Sequence, residues 1–304
     1  MVGAVNSDSL VVTGANGRIG QSLLRAAGGR ARALVRSERA ASALAGSGAE
    51  VRVLDLRDLD QLARAAHGCA AWIHLVGILK ETRAARYVDA HERTSERVAH
   101  AAERAGVRRV VCLSILGADA GSPNACLASK GRADAILLGG RVPASVLRVP
   151  MVLGPGEIAA FALRGQASAP LAFLVRGGAT REQPIDTRDV VAALRLAAAD
   201  ASDARLALDL AGPESLTHRE LVARAARTLG MRGPRIVPVP AALAFALAAL
   251  LERLPEPPLT RAMLGVLEHD DQIDPRPAAQ RLGLTLTPLA ETLAHTFGPE
   301  KQAA

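Results

Sequence analysis

The sequence predicts an α/β fold, a doubly wound parallel sheet followed by a smaller, mostly helical C-terminal domain. Three observations predict it. Short apolar runs alternate with helical stretches through the first half, a glycine-rich turn closes the first run, and the texture changes after Pro150. Strands apolar on both faces that alternate with helices belong in a parallel sheet covered on both sides.

In chain order, Leu10–Thr13 reads as a buried strand ending at the glycine turn, and residues 18–27 as a helix. Strands follow at Ala31–Val35, Val51–Leu54 and Ala71–Val76. A long helix over residues 84–105 has apolar positions spaced between charges and stops at Gly106, a residue suited to a helix C-terminus. Val107–Leu113 and Ala144–Leu147 are the next strands. Gly154-Pro155-Gly156 breaks the pattern, a loop holds Gly177, Gly178 and Pro184, and a helix (187–200) and a strand (Leu206–Leu210) then rejoin the sheet. Beyond residue 213 come helices over 217–229, 240–253, 259–267 and 288–297. The expected division is 1–155 for a dinucleotide-binding domain, with 183–212 returning to its sheet, and 156–182 plus 213–304 for the smaller domain.

Composition narrows the function. Of the 37 basic residues all but Lys80, Lys130 and Lys301 are arginine, and the formal charge is +7. Such a balance admits nucleic acid or an anionic membrane surface as partner. No run of five like charges occurs, so a solvated basic surface is the plainer reading. Aromatic residues make up only 2%, with Trp72 and Tyr87 single representatives of their types. That argues against a base-stacking platform, and no nucleic-acid partner is expected. Three cysteines without a C-x-x-C pair indicate neither a disulfide framework nor a metal site, and fit a reducing cytoplasm. The opening MVGAVNSDSLVV lacks the pattern of a signal peptide. The apolar Ala241–Leu251 stretch is too short to span a bilayer, which takes about 20 residues. It is either a core helix or a face for a membrane or protein partner.

The strongest motif is Thr13-Gly14-Ala15-Asn16-Gly17-Arg18-Ile19-Gly20, between a strand and a helix. Gly14 permits the tight turn, Gly17 admits a pyrophosphate to the backbone, and Gly20 allows close helix packing. The helix start offers unpaired N–H groups to the phosphates. The second strand ends in Val35-Arg36-Ser37-Glu38, where an NAD site usually places an acid for the ribose. Arg36, joined by Arg18, suits a 2′-phosphate instead, which favours NADP(H) over NAD(H). Asp55 has the position to meet the adenine or to cap the helix that starts nearby.

These residues resemble the extended and atypical short-chain dehydrogenase/reductases. His74-Leu75-Val76-Gly77-Ile78-Leu79, Leu113-Ser114-Ile115-Leu116-Gly117-Ala118-Asp119, Ser122-Pro123 ahead of Ser129-Lys130, Gln183-Pro184-Ile185 before Asp189-Val190, and Ala211-Gly212-Pro213-Glu214 before Thr217 look like one branch. That branch is the NAD(P)H-binding accessory subunit of respiratory complex I and its bacterial relatives. The resemblance runs from about residue 9 to 297. It implies a cofactor set of Thr13, Gly14, Asn16, Gly17, Arg18, Ile19, Gly20, Arg36, Asp55, Leu56, Val76, Gly77, Lys130 and Val149. It also implies a catalytic Ser at Ser114 and Lys at Lys130, where members of the family carry Tyr-x-x-x-Lys.

Here the sequence departs from the family. Four residues before Lys130 stands Cys126, and the lone Tyr87 is too far upstream for that register. Cys126 and Lys130 share a helix face, so the geometry is kept while the acid is missing. Cys126 is read as a small pocket residue in place of the catalytic Tyr. Its alternatives are a reactive thiol beside an ammonium and a proton donor through water. No G-x-S-x-G elbow supports a hydrolase at Ser114. The expectation is an NADP(H)-binding protein with a degraded catalytic motif. It would be cytoplasmic or peripheral at the inner membrane, as an accessory or assembly factor of a respiratory complex. The alternative is an active oxidoreductase or epimerase on a carbonyl, quinone or nucleotide-sugar substrate.

Overall fold

The computed structural model describes residues 9–298. The first eight residues of the opening segment, read above for a signal peptide, lie outside them, as does Lys301. Contacts divide the chain into two units, Met1–Arg148 with Val191–Asp209, and Val149–Val190 with Leu210–Ala304. Segments 149–155, 183–190 and 210–212 therefore group with the second unit, where the sequence reading gave them to the first.

The first unit runs β1 (Leu10–Thr13), α1 (Arg18–Ala27), β2 (Ala31–Val35), α2 (Glu38–Ser42), β3 (Glu50–Val53), α3 (Leu59–Ala66), β4 (Ala71–His74), α4 (Thr94–Ala105), β5 (Arg109–Ile115), α5 (Ala125–Gly139) and β6 (Ala144–Val149). A last strand comes from Leu206–Asp209. The seven strands lie in the order Leu206–Asp209, β6, β5, β4, β1, β2, β3, a parallel sheet. The order reverses between β1 and β4, whose ends align Thr13 with His74. Ligands of open α/β sheets bind outside the carboxyl ends of the strands at such a switch point. One face of the sheet is filled by Val11, Leu34, Trp72, Val110 and Val146, packed on Leu62, Val98 and Leu137 from the helices.

Two local expectations are corrected. Asp55 does not cap α3: the cap is Asp58, whose Oδ1 accepts from Asp60 N (2.9 Å) and Gln61 N (3.0 Å). Asp55 instead holds the backbone and guanidinium of Arg57 at the surface. The helix predicted over 84–105 is regular only from Thr94, and Val88–Arg93 before it is a π-helical turn. The wider turn brings His91 into the interior, where the loop after β4 binds its ring. π-turns inside helices recur at functional sites.

The second unit holds more strand than the sequence predicts. Val152–Leu153 pairs with Ile185–Asp186, Leu171–Val175 with Arg235–Val239, and Arg181–Glu182 with Leu216–Thr217. Its core gathers Leu153, Leu163, Leu221, Val222, Leu293 and Phe297. The helix Ala241–Leu251 buries only Ala244 and Ala248, while Leu243, Leu247 and Leu250 are more than half exposed. The core-helix alternative thus fails for that face. Among the described residues no helix is long and apolar enough to cross a membrane.

Candidate cofactor and catalytic site

The glycine turn follows β1 because that strand must reverse beneath the loop leaving β4. Gly14 sits at φ 78°, and a Cβ there would lie 2.7 Å from the carbonyl carbon of Leu75. Only glycine combines that conformation with that approach. A Cβ on Gly20 would strike the backbone of Ala15, so Gly20 serves the packing of α1 against its own turn. Gly17 is different. Its Cβ would meet one atom, Gly14 O at 3.3 Å, and Gly17 is exposed together with Asn16 and Arg18. Gly17 is also the N-cap of α1, with no side chain closing the helix start. The first N–H groups of that helix have no intrahelical partner, so the turn fits a pyrophosphate. Thr13 faces the other way: its Oγ1 accepts from Trp72 Nε1 (3.1 Å) and lies 2.8 Å from His74 Nδ1.

Arg36 is exposed just past β2, and Leu56 is half-buried past β3. Val76 and Gly77 leave β4 beside Gly14, and Val149 closes β6, buried. Gly77 connects the turn to the catalytic corner, since a Cβ on it would lie 3.1 Å from Lys130 Nζ.

That corner is built on α5. Asn124 caps the helix through Cys126 N (2.9 Å) and Leu127 N (3.3 Å). Glu92 of the π-turn accepts from Ser129 Oγ (2.7 Å) and from Arg132 (2.9 Å), which fixes the helix against its neighbour. Gly131 lets the backbone of Asp119 and Ala120 lie against α5, where a Cβ would collide. Lys130 is thereby buried and donates to Leu113 O (3.1 Å), next to Ser114 at the end of β5.

Two buried polar atoms around this corner lack a partner among the described residues: His74 Nε2 and His91 Nδ1. Leaving such a group unsatisfied costs roughly 1–3 kcal/mol, so the arrangement is suited to a ligand or water that supplies the missing bonds. Burial, and then the Lys130 ammonium, push both His74 and His91 down to about 3. Two neutral imidazoles therefore stand near the Lys130 side chain at neutral pH. Burial raises the Asp134 carboxyl, against the Arg148 guanidinium (2.9 Å) and the Ser114 hydroxyl, which lower it.

Cys126 is fully buried, and that burial raises its thiol, with Lys130 and Tyr87 pulling weakly the other way. The reactive-thiolate reading is therefore corrected: the ammonium is present but desolvation wins. The Tyr87 hydroxyl reaches this thiol and donates to Leu79 O (2.8 Å), while its ring stacks on His91 at 5.4 Å. Tyr87, out of register in the sequence, is thus at the corner in space. Sequence reasoning weighs His91 only as a partner of Ser114 in the rejected hydrolase triad, and passes over Glu92 and Asp134. A polar residue at every third or fourth helical position was the only signal they gave.

Residues 14–151 match the family described as NAD(P)H-binding. Over those residues, a little under half of its length, the chain is similar to an NAD(P)H-binding domain. It is 30% identical over 201 residues to the mitochondrial NADH dehydrogenase [ubiquinone] 1 alpha subcomplex subunit 9 of Arabidopsis thaliana, across 64% of this chain and 49% of that one. The match thus spans about half of that subunit's length. It is 28% identical over 244 residues to the ceramide reductase of Caulobacter vibrioides, covering 76% of this chain and 73% of the relative. Among solved structures, the NADPH-dependent quinone oxidoreductase of Escherichia coli, determined with NADPH, superposes with a TM-score of 0.71 at 22% identity, over 95% of this chain and 100% of that one. At that identity the likeness shows the fold alone. The family resemblance read from the sequence is thereby borne out, in the domain, in the complex I relative and in the fold.

Proposed function

We propose that this chain binds NADP(H) in preference to NAD(H). We propose further that it acts as a cofactor-loaded accessory or assembly protein of a respiratory complex, at the cytoplasmic face of the inner membrane, with little or no turnover of its own. The observation that carries this reading is the buried, protonated Cys126 four residues before an intact Lys130. The backbone of residues 14–20 would hold the pyrophosphate, Arg36 the 2′-phosphate, and Lys130 the ribose beside the nicotinamide. Bound NADPH would supply a hydride. No acid of tyrosine length stands at position 126 to complete a reduction. The similarity to a complex I subunit supports the accessory role.

General acid–base catalysis is typically worth about 10²–10⁴-fold. The test is steady-state NADPH oxidation against ketones, enones, quinones and nucleotide sugars, with Cys126→Tyr alongside. Turnover that appears only in Cys126→Tyr supports the reading, and wild-type turnover near ~10 s⁻¹, a median enzyme rate, overturns it. One observation favours the alternative of an active oxidoreductase: the Tyr87 phenol beside Cys126. If the wild type turns over and Tyr87→Phe loses about 10²-fold, the acid has moved to the loop before α4 and the alternative stands.

A further inference from the structure

We infer that the first unit has a second ligand site, at the amino ends of its strands, that takes an anionic amphiphile: an aliphatic chain bearing a carboxylate or phosphate head. The inference does not depend on the cofactor reading. A cavity of about 1080 Å³ opens there, bounded by the starts of β1, β4, β5 and β6 and by the helix Thr187–Ala199. That is at the upper end of small-molecule sites, about 300–1,000 Å³. The cofactor turn, Ser114 and Lys130 belong to the opposite, carboxyl end of the same sheet.

Charge gives the first half of the argument. Arg30, Arg108, Arg141 and Arg195 line the cavity, against Asp200 and Asp203. Asp200 is occupied, because one carboxylate oxygen accepts from Ser202 N (2.9 Å) and the other lies 3.8 Å from Arg109. Arg109 is itself buried and committed: it donates to Asp200 O (2.7 Å), Ser145 Oγ (2.9 Å), Ala204 O (3.1 Å) and Ser202 O. It serves as the wall, fastening the 200–204 loop. Arg141 has only an exposed pair with Glu103, of a kind worth little. Arg195 has no hydrogen-bond or ion-pair partner among the described residues. Arg30 and Arg108 are engaged in contacts of their own, Arg30 with Ala27 O (3.4 Å) among them, so the cationic heads left to a ligand are those of Arg141 and Arg195.

The lining gives the second half. Between the arginines it is aliphatic, with Leu10, Val107, Val142, Pro143, Ala192 and Leu196, and it has no aromatic ring on which a base would stack. The backbone at the strand starts is already paired, Leu10 N to Arg30 O (2.9 Å), Arg108 N to Ala70 O (3.0 Å) and Val110 N to Pro143 O (3.0 Å). An extended peptide finds no free edge there. An acyl chain needs neither stacking nor hydrogen bonds, and its head needs the guanidinium forks.

The experiment is calorimetric titration of the full chain with monomeric dodecyl phosphate. Inorganic phosphate and dodecyl maltoside test head and chain separately, and NADPH titration with thermal melting verifies each variant. Saturable binding is expected, at least about tenfold tighter than either half-ligand and weakened at least about tenfold in Arg141→Ala/Arg195→Ala, since a charge-assisted bond is worth roughly 1.5–3 kcal/mol. NADPH affinity should not move, which separates failure here from failure of the cofactor reading. Equal affinity in the double variant, equal affinity for dodecyl maltoside, or no saturable binding overturns the site. Co-sedimentation with phosphatidylglycerol vesicles that the double variant loses assigns the amphiphile to the bilayer. Dodecyl phosphate binding without co-sedimentation assigns it to a free fatty-acid type of ligand.

Discussion

The glycine turn and the Lys130 corner belong to one unit and are built in opposite ways. The turn offers backbone, with Asn16, Gly17 and Arg18 exposed. The corner offers buried side chains, two of them histidines with an unsatisfied ring nitrogen. Binding that rests on backbone requires only small residues at fixed places, so it survives extensive sequence change. Under the proposed function, proton transfer rests on one side chain, and a single replacement at position 126 would remove it. The contrast explains how a chain keeps a dinucleotide fold while its reaction is in question.

The comparison breaks hardest at Gly14. Gly14→Val places a branched side chain at φ 78° against the backbone of Leu75, and a loss of at least about 3 kcal/mol in urea unfolding is expected, the scale of strain and overpacking combined. Gly17→Val should instead melt like the wild type while NADPH affinity falls about 100-fold, because the added methyls stand where the phosphate would approach. Calorimetry alongside melting curves tests both. A Gly17→Val protein that is folded and binds normally would remove the turn from the cofactor site.

The corner has a pH signature that the turn lacks. His74 and His91 take up protons near 6.5 when unfolded and at about 3 when folded. Between those values the unfolded state binds more protons, so stability falls as pH falls. The expected loss is about 1.4 kcal/mol per pH unit for each histidine, or about 2 kcal/mol each between pH 6.5 and 5. Urea unfolding at the two pH values measures it. His91→Asn should remove about half of the slope, and an unchanged slope would place the acid sensitivity elsewhere.

The smallest expected effect sharpens the turn side. Arg36→Ala should narrow the ratio of NADPH to NADH affinity by about tenfold, the value of one charge-assisted bond. Equal wild-type affinities for the two cofactors would show that Arg36 faces only solvent.

What the sequence disclosed follows the same division. The turn was legible because Gly14, Gly17 and Gly20 act through local conformation, and the sheet strands because their apolar runs are buried on both faces. The strand Arg235–Val239 was not, since Pro238 and Arg235 spoil its pattern and its partner Leu171–Val175 is about 60 residues away. The corner was half legible. Ser114, Cys126 and Lys130 emerged from family spacing, but His91 and Tyr87 enter through a π-turn and contacts with the 78–79 loop that no periodicity encodes. Arg109 lies within the strand read over Val107–Leu113, but its role was hidden because its partners are 91 to 95 residues away, apart from Ser145.

That fastening has a consequence for synthesis on the ribosome. The strand Leu206–Asp209 covers the outer edge of β6, yet it leaves the ribosome about 60 residues after β6 does. At ~5–20 residues per second the edge stays bare for roughly 3–12 s, and Arg109 waits as long for the carbonyls of the 200–204 loop. A nascent chain stalled near residue 190 would therefore present an open strand edge and an uncapped cation, both targets for a chaperone, and translation past residue 209 would withdraw them together.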